Sequence, residues 1–347
     1  MKCNGDISTT RGFIDLQVNG FAGVDFNDPQ SSPAGIGRAI RAIFSTGVAR
    51  FFPTVITGSP ARMIAALKHL AAARESLEDG LAMEAFHLEG PHISPDDGPR
   101  GAHPREWVRP PDLEEFHRLQ DATRGLVRLV TLSPEWPDAP RFIERLVDSG
   151  VVVSIGHTRA TPEQIRDAVS AGATLSTHLG NGAHPSLPKT ANYIWEQLAE
   201  DRLAASFIVD GIHLPDAFLR AALRAKGISR SVLVTDAVMP ALCAPGIYRL
   251  GEVEVELKAD QRVVLRGGST GSNARLAGSS LRMDRALENV MRIAGLSLED
   301  AIAMATENPA RVARVPDRGD QVKFRCTDGR IEVLETKLAG RVVFAGT

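Results

Sequence analysis

Four residues able to bind a metal or move a proton stand at the ends of four short apolar runs. Glu89 follows the run 83–88, His157 follows 151–156, His178 follows 173–177 and Asp236 follows 231–235. When parallel strands alternate with helices and close into a barrel, the C-terminal strand ends share one rim, and the chemistry is built there. One carboxylate, two imidazoles and a last carboxylate at the ends of four strands is how such an α/β fold, a (β/α)8 TIM-like barrel, builds a metal site. A Glu and two His leave a divalent metal with an open position for water. A nearby Asp can handle that water's protons. The pattern implies a metal-dependent hydrolase.

The rest of the chain fits that architecture. Its 347 residues hold one barrel and a small appendage. The stretch 61–73 reads as a helix with Ser59 as N-cap and Pro60 at the first helical position. Thr161-Pro162-Glu163-Gln164 combines a capping box with a first-position proline, and Gly172 closes the helix that follows. This helix separates the runs that end at His157 and His178, and strand, helix and strand there form a βαβ unit, which implies a parallel sheet. Two stretches break the alternation. Residues 248–266 read as an antiparallel hairpin, and 322–344 are β-rich. The expected division is a barrel over 12–315 with a β-hairpin insertion at about 246–275, and a small β subdomain from 1–11 and 316–347.

Composition removes several classes of function. A net charge of −2 gives no reason to expect nucleic acid or an anionic membrane as partner. No apolar run is long enough to span a bilayer, and the first residues hold no apolar stretch of signal-peptide type. Cys3, Cys243 and Cys326 are odd in number and far apart, so reduced thiols and a cytoplasmic location are expected.

Each candidate has a structural alternative. Glu89 could serve a salt bridge at the barrel mouth, His157 could be a satisfied buried histidine, and Asp236 could be a helix cap or ion-pair partner. Two histidines on successive strand ends favour the metal reading. His87 shares a strand face with Glu89 and is expected to pack behind it.

The motifs carry a family resemblance. Gly12–Gly20, His87–Pro91, Arg100–His103, Gly156–Thr158, Thr177–Asn181, Val209–His213, Val234–Ala237, Leu276–Ser280 and Met304–Ala310 occur in one order. Together the chain resembles the amidohydrolase superfamily, and within it the N-acetylglucosamine-6-phosphate deacetylase family. The resemblance implies that Glu89, His157 and His178 hold one divalent metal, zinc first, with iron, manganese or cobalt as alternatives. It implies Asp236 as general acid and base, and His103 as the donor that shares the developing oxyanion with the metal. Asn181, the backbone of Gly182 and His213 would position the sugar and its 6-substituent. A homodimer and a small amino-sugar substrate are expected. Many superfamily members carry His-x-His at the end of the first strand and bind a second metal. Here Gln17 and Asn19 stand there, and neutral amides are poor ligands for such an ion, so one metal is expected.

Two departures bear on substrate. The family's His-x-x-Asn motif usually continues with Ala-Met, and an Arg about eight residues past the Asn contacts phosphate. This chain has Asn181-Gly182-Ala183-His184-Pro185-Ser186-Leu187-Pro188-Lys189. Lys189 near the Arg position would act as a point charge without the planar fork of guanidinium. Family members also carry several dozen residues of β segment before Gly-Phe-Ile-Asp, where only residues 1–11 stand here, so a reduced subdomain or a late start is expected. Deacetylation of an N-acetylated amino sugar, most readily the 6-phosphate, is the leading reading. A deacylase or cyclic amidase on a non-phosphorylated substrate stays open, as does a metal-bearing sugar sensor without catalysis.

Overall fold

The structure is a computed structural model that describes residues 4–251, 253–266 and 276–346. The chain runs β1 (Asn4–Arg11), β2 (Phe13–Val18), β3 (Gly20–Phe21), β4 (Val24–Asp25), α1 (Pro33–Phe44), β5 (Val48–Ile56), α2 (Pro60–Ser76) and β6 (Phe86–Glu89). It continues α3 (Leu113–Ala122), β7 (Val127–Leu132), α4 (Ala139–Asp148), β8 (Val152–Ile155), α5 (Pro162–Ser170), β9 (Leu175–Ser176), α6 (Tyr193–Ala199), β10 (Ala204–Phe207), α7 (Asp216–Lys226) and β11 (Ser231–Leu233). After β12 (Gly246–Leu250), β13 (Val253–Leu257) and β14 (Val263–Leu265) come α8 (Met283–Ala294), α9 (Leu298–Ala305) and α10 (Glu307–Val312). Then β15 (Gln321–Thr327), β16 (Arg330–Leu338) and β17 (Arg341–Ala345) follow.

Eight strands form one sheet in the order β11-β10-β9-β8-β7-β6-β5-β2, with every neighbouring pair parallel. The two end strands meet through a parallel bridge between Val18 and Ala237, and the Asp236 amide donates to the Gln17 carbonyl at 3.0 Å. The sheet is therefore closed as a (β/α)8 barrel. β2, β6, β8, β10 and β11 are buried at every position, as expected for strands packed between a filled interior and an outer ring of helices. The helix signals hold locally. Ser59 Oγ accepts from the Arg62 amide, and Thr161 and Gln164 form the reciprocal capping box.

The expected hairpin after β11 is a three-stranded antiparallel sheet, β12-β13-β14. Val255, Leu257 and Val263 face a small apolar cluster with Val238 and Ala277. The part of the expected insertion over 267–275 lies outside the described residues. The chain ends form a separate antiparallel sheet, β1-β15-β16-β17. It is tied to the N-terminal end of the barrel, where Arg50 on β5 pairs with Glu84 at 2.7 Å and with Asp320 just before β15.

The terminal sheet corrects the reading of three reduced thiols. Cys326 is disulfide-bonded and Cys243 is free. Sequence distance gave no sign of a bond, because which segments of a chain meet is decided by its tertiary structure.

Candidate metal centre

Four strand ends deliver the candidate residues. Glu89 is the last residue of β6. His157 and His178 lie two residues beyond β8 and β9, and Asp236 three beyond β11. Three of these adopt a left-handed backbone, with φ of 49° at His157, 29° at His178 and 48° at Asp236. Non-glycine residues hold that conformation at a cost of roughly 1–3 kcal/mol each, a strain that gathers where geometry is dictated by function.

The side chains converge. Glu89 Oε1 lies 3.1 Å from His157 Nε2 and 2.8 Å from His178 Nε2, and it accepts a hydrogen bond from Gln17 Nε2 at 2.9 Å. One ligand atom from each of Glu89, His157 and His178 lies within 4.8 Å of the others, and all three residues are buried. His157 Nδ1 stands 2.8 Å from the Pro99 carbonyl, which can only accept, so the proton of a neutral ring is on Nδ1. The Nε2 lone pair then faces a carboxylate oxygen, an arrangement that a cation at the group's centre resolves. His178 Nδ1 is buried without a partner among the described residues. Two imidazoles and a carboxylate suit a divalent ion of the zinc type. Burial disfavours the Glu89 carboxylate, but when His157 and His178 are protonated their hydrogen bonds and charge prevail and hold it well below the ordinary range.

Two glycines shape the wall of this group. A Cβ on Gly182 (φ 55°) would come within 2.7 Å of His157 Nδ1, and one on Gly101 (φ 59°) within 3.0 Å of its Cε1. Both loops press on the His157 ring, so neither position has room for a side chain.

Asp236 stands beside the three. Asn19 Nδ2 donates to its Oδ1 at 2.6 Å, while Asn19 Oδ1 is buried and unpartnered among the described residues. Burial and the charge of Glu89 push the Asp236 carboxyl up to about 6. Behind it, Thr235 donates its hydroxyl to Asp15 Oδ2 at 2.6 Å, and burial raises Asp15 to about 7. The positions of Gln17 and Asn19 thus carry neutral donors that orient the two key carboxylates.

His103 is fully enclosed, although it belongs to a Pro/Gly-rich loop. Its ring meets the His157 ring edge-on at a centroid separation of 4.5 Å, and Nδ1 lies 2.8 Å from Thr57 Oγ1. Burial and the neighbouring His157 lower it to about 3, so it is neutral. His213 Nδ1 is 2.6 Å from Asp210 Oδ2. Asn181 is turned inward, with Nδ2 donating to the His178 carbonyl at 3.1 Å. Lys189 is exposed, and no hydrogen bond or ion pair holds it among the described residues. His184 in the same loop is tied to the Tyr193 hydroxyl through both its amide and Nδ1. His87 lies behind the group with Nε2 2.7 Å from Thr131 Oγ1, and burial lowers it to about 4.

The residues that sequence reasoning missed are Thr57, Thr235 with Asp15, and the Pro99 carbonyl. Thr57 had a usable signal, since it follows an apolar strand as Glu89 and Asp236 do. The carbonyl had none.

The chain is similar to known proteins over nearly its whole length. The model of the amidohydrolase family matches residues 10–322. The N-acetylglucosamine-6-phosphate deacetylase of Bacillus subtilis is 31% identical over 343 residues, covering 96% of this chain and 84% of its own length. The N-acetylgalactosamine-6-phosphate deacetylase of a Shewanella species is 33% identical over 340 residues, covering 96% and 82%. A mutant N-acetyl-D-glucosamine-6-phosphate deacetylase from Mycobacterium smegmatis, solved in complex with N-acetyl-D-glucosamine-6-phosphate, superposes with a TM-score of 0.86. It is 29% identical and covers 98% of this chain and 87% of that one.

Proposed function

The chain belongs to the amidohydrolase family, and from that premise we propose that it hydrolyses the acetamide of N-acetylglucosamine 6-phosphate, releasing glucosamine 6-phosphate and acetate. The observation that carries the reading is the meeting of His157 and His178 on one oxygen of Glu89, with Asp236 held beside them by Asn19.

Glu89, His157 and His178 would hold one divalent ion, zinc by the nature of the donors. When bound, such an ion supplies Lewis-acid chemistry, making water a stronger acid and stabilising negative charge on oxygen. Asp236 takes the proton from the attacking water as its oxygen bonds to the acetamide carbon. His103 donates a hydrogen bond from Nε2 to the carbonyl oxygen as that oxygen becomes negative. Asp236 then passes its proton to the sugar nitrogen while the C–N bond breaks. Burial raises the Asp236 carboxyl above the ordinary range, which suits a group that both takes and returns a proton. Asn181, the Gly182 backbone and His213 position the sugar, and Lys189 meets the 6-phosphate as a point charge.

Metal analysis of purified protein, combined with acetate release from N-acetylglucosamine 6-phosphate, its galacto isomer and free N-acetylglucosamine, tests the reading. About one metal per chain and a clear preference for the 6-phosphate are expected. Equal rates on free and phosphorylated sugar would reduce the assignment to a metal-dependent N-acyl hydrolase.

A further inference from the structure

Thr57 stands one residue beyond β5, on the same rim as the four strand-end residues, and is 3% exposed. Its hydroxyl oxygen is 2.8 Å from His103 Nδ1 and 3.4 Å from the Glu89 main-chain oxygen. A hydroxyl has one proton to give. The first contact has the length of a strong hydrogen bond, whereas the second lies beyond the usual O–H···O range. Donation to Nδ1 makes a short bond, whereas the other arrangement, with Nδ1–H donating to Oγ1, turns the hydroxyl to a Glu89 contact beyond the usual range, so the geometry favours the first.

We propose that Thr57 is a positioning residue: its hydroxyl donates to His103 Nδ1 and so fixes the tautomer in which Nε2 carries the proton. That is the only neutral form able to donate from Nε2 to an acyl oxygen, and the inference rests on the reading of His103 as the oxyanion donor. The contrast with His157 supports it. There the partner of Nδ1 is the Pro99 carbonyl, which forces the proton onto Nδ1 and leaves a lone pair on Nε2. Two histidines whose rings touch edge-on thus hold opposite tautomers. A carbonyl prepares one to bind a cation, and a hydroxyl prepares the other to donate a hydrogen bond. The Arg100 guanidinium, donating to the His103 carbonyl at 2.7 Å, fixes the backbone from which the ring projects.

The test uses zinc-loaded enzyme with N-acetylglucosamine 6-phosphate as substrate. Histidine ¹⁵N NMR, with the His103 signals identified by their loss in His103→Asn, reads the tautomer directly. Wild type is expected to show a protonated Nε2. Thr57→Val, close to the same shape, should give mixed tautomers and a kcat lower by about tenfold or more, a part of what a lost oxyanion donor costs. Its KM should stay within about twofold and its metal content should not change. Thr57→Ser should restore both tautomer and kcat. A protonated Nδ1 at His103 in wild type overturns the proposal even if Thr57→Val does not fold. So does a Thr57→Val kcat within about threefold of wild type while His103→Asn is inactive. If His103→Asn itself retains activity, the reading of His103 fails, and the role of Thr57 falls with it.

Discussion

The two ends of this barrel treat polar groups in opposite ways. At the N-terminal end each charge is answered. Arg50 bonds Glu84 on one side and Asp320 on the other, and Asp320 also accepts the Ala339 amide at 2.7 Å. At the C-terminal rim, Asn19 Oδ1 and His178 Nδ1 are buried without partners among the described residues, and three non-glycine residues hold left-handed backbones. Unanswered polar atoms and backbone strain both cost stability. They gather at the end that carries the candidate site. The floor locks the chain termini to the barrel, and the rim keeps hydrogen-bonding capacity for chemistry.

That contrast can be broken by experiment. The largest effect is expected from Glu89→Gln or His157→Ala, which should abolish metal binding and reduce acetate release to background, as read by metal analysis and a product assay. Retention of a full metal complement would move the cation site elsewhere. Asp236→Asn should keep the metal and lose roughly 10²–10⁴-fold in kcat, the usual contribution of a general acid–base group. The thermal midpoint should fall little.

The pH profile sharpens the same assignment. Because the native carboxyl is raised to about 6, its charged form is lost at a higher pH than for an ordinary carboxylate. With Asp236 as base, kcat/KM should fall at acid pH as its carboxylate takes up a proton, and a metal-loaded enzyme with no acid limb would remove Asp236 from the role. At the floor the readout reverses. Glu84→Ala should destabilise the fold by on the order of 3 kcal/mol, the cost of breaking a buried ion pair, while kcat at low temperature stays near wild type. A large loss of kcat in the folded variant would show that the two ends are coupled.

The smallest effect is expected on the 181–189 loop. Lys189→Ala should raise KM for the 6-phosphate roughly tenfold to hundredfold, with kcat and the free sugar little affected. Equal changes on both substrates would show that Lys189 does not read phosphate.

The convergent centre was more legible than the groups that tune it. Glu89, His157, His178 and Asp236 could be found because a costly residue type after an apolar run stands out locally, and parallel strands bring such positions to one rim. His103 could not be placed by pattern, since a Pro/Gly-rich loop gives no period and its burial depends on packing against His157. The small sheets were partly legible. Period-two alternation marked β13, while the pairing of β1 with β15 depended on register between distant segments.

The sequence by itself determined the alternation of strands and helices, the helix starts at Ser59 and Thr161, and the residue types offered at four strand ends. These follow from short-range rules of caps, turns and hydrophobic period. Only the tertiary structure decided that Gln17 donates to Glu89, that Asn19 holds Asp236 across 217 residues, and that Thr57 meets His103 across 46. It also decided that Cys326 is oxidised. Hydrogen bonds and disulfides form only within a few ångströms, and barrel closure, register and loop packing set those distances, none of which a local pattern encodes.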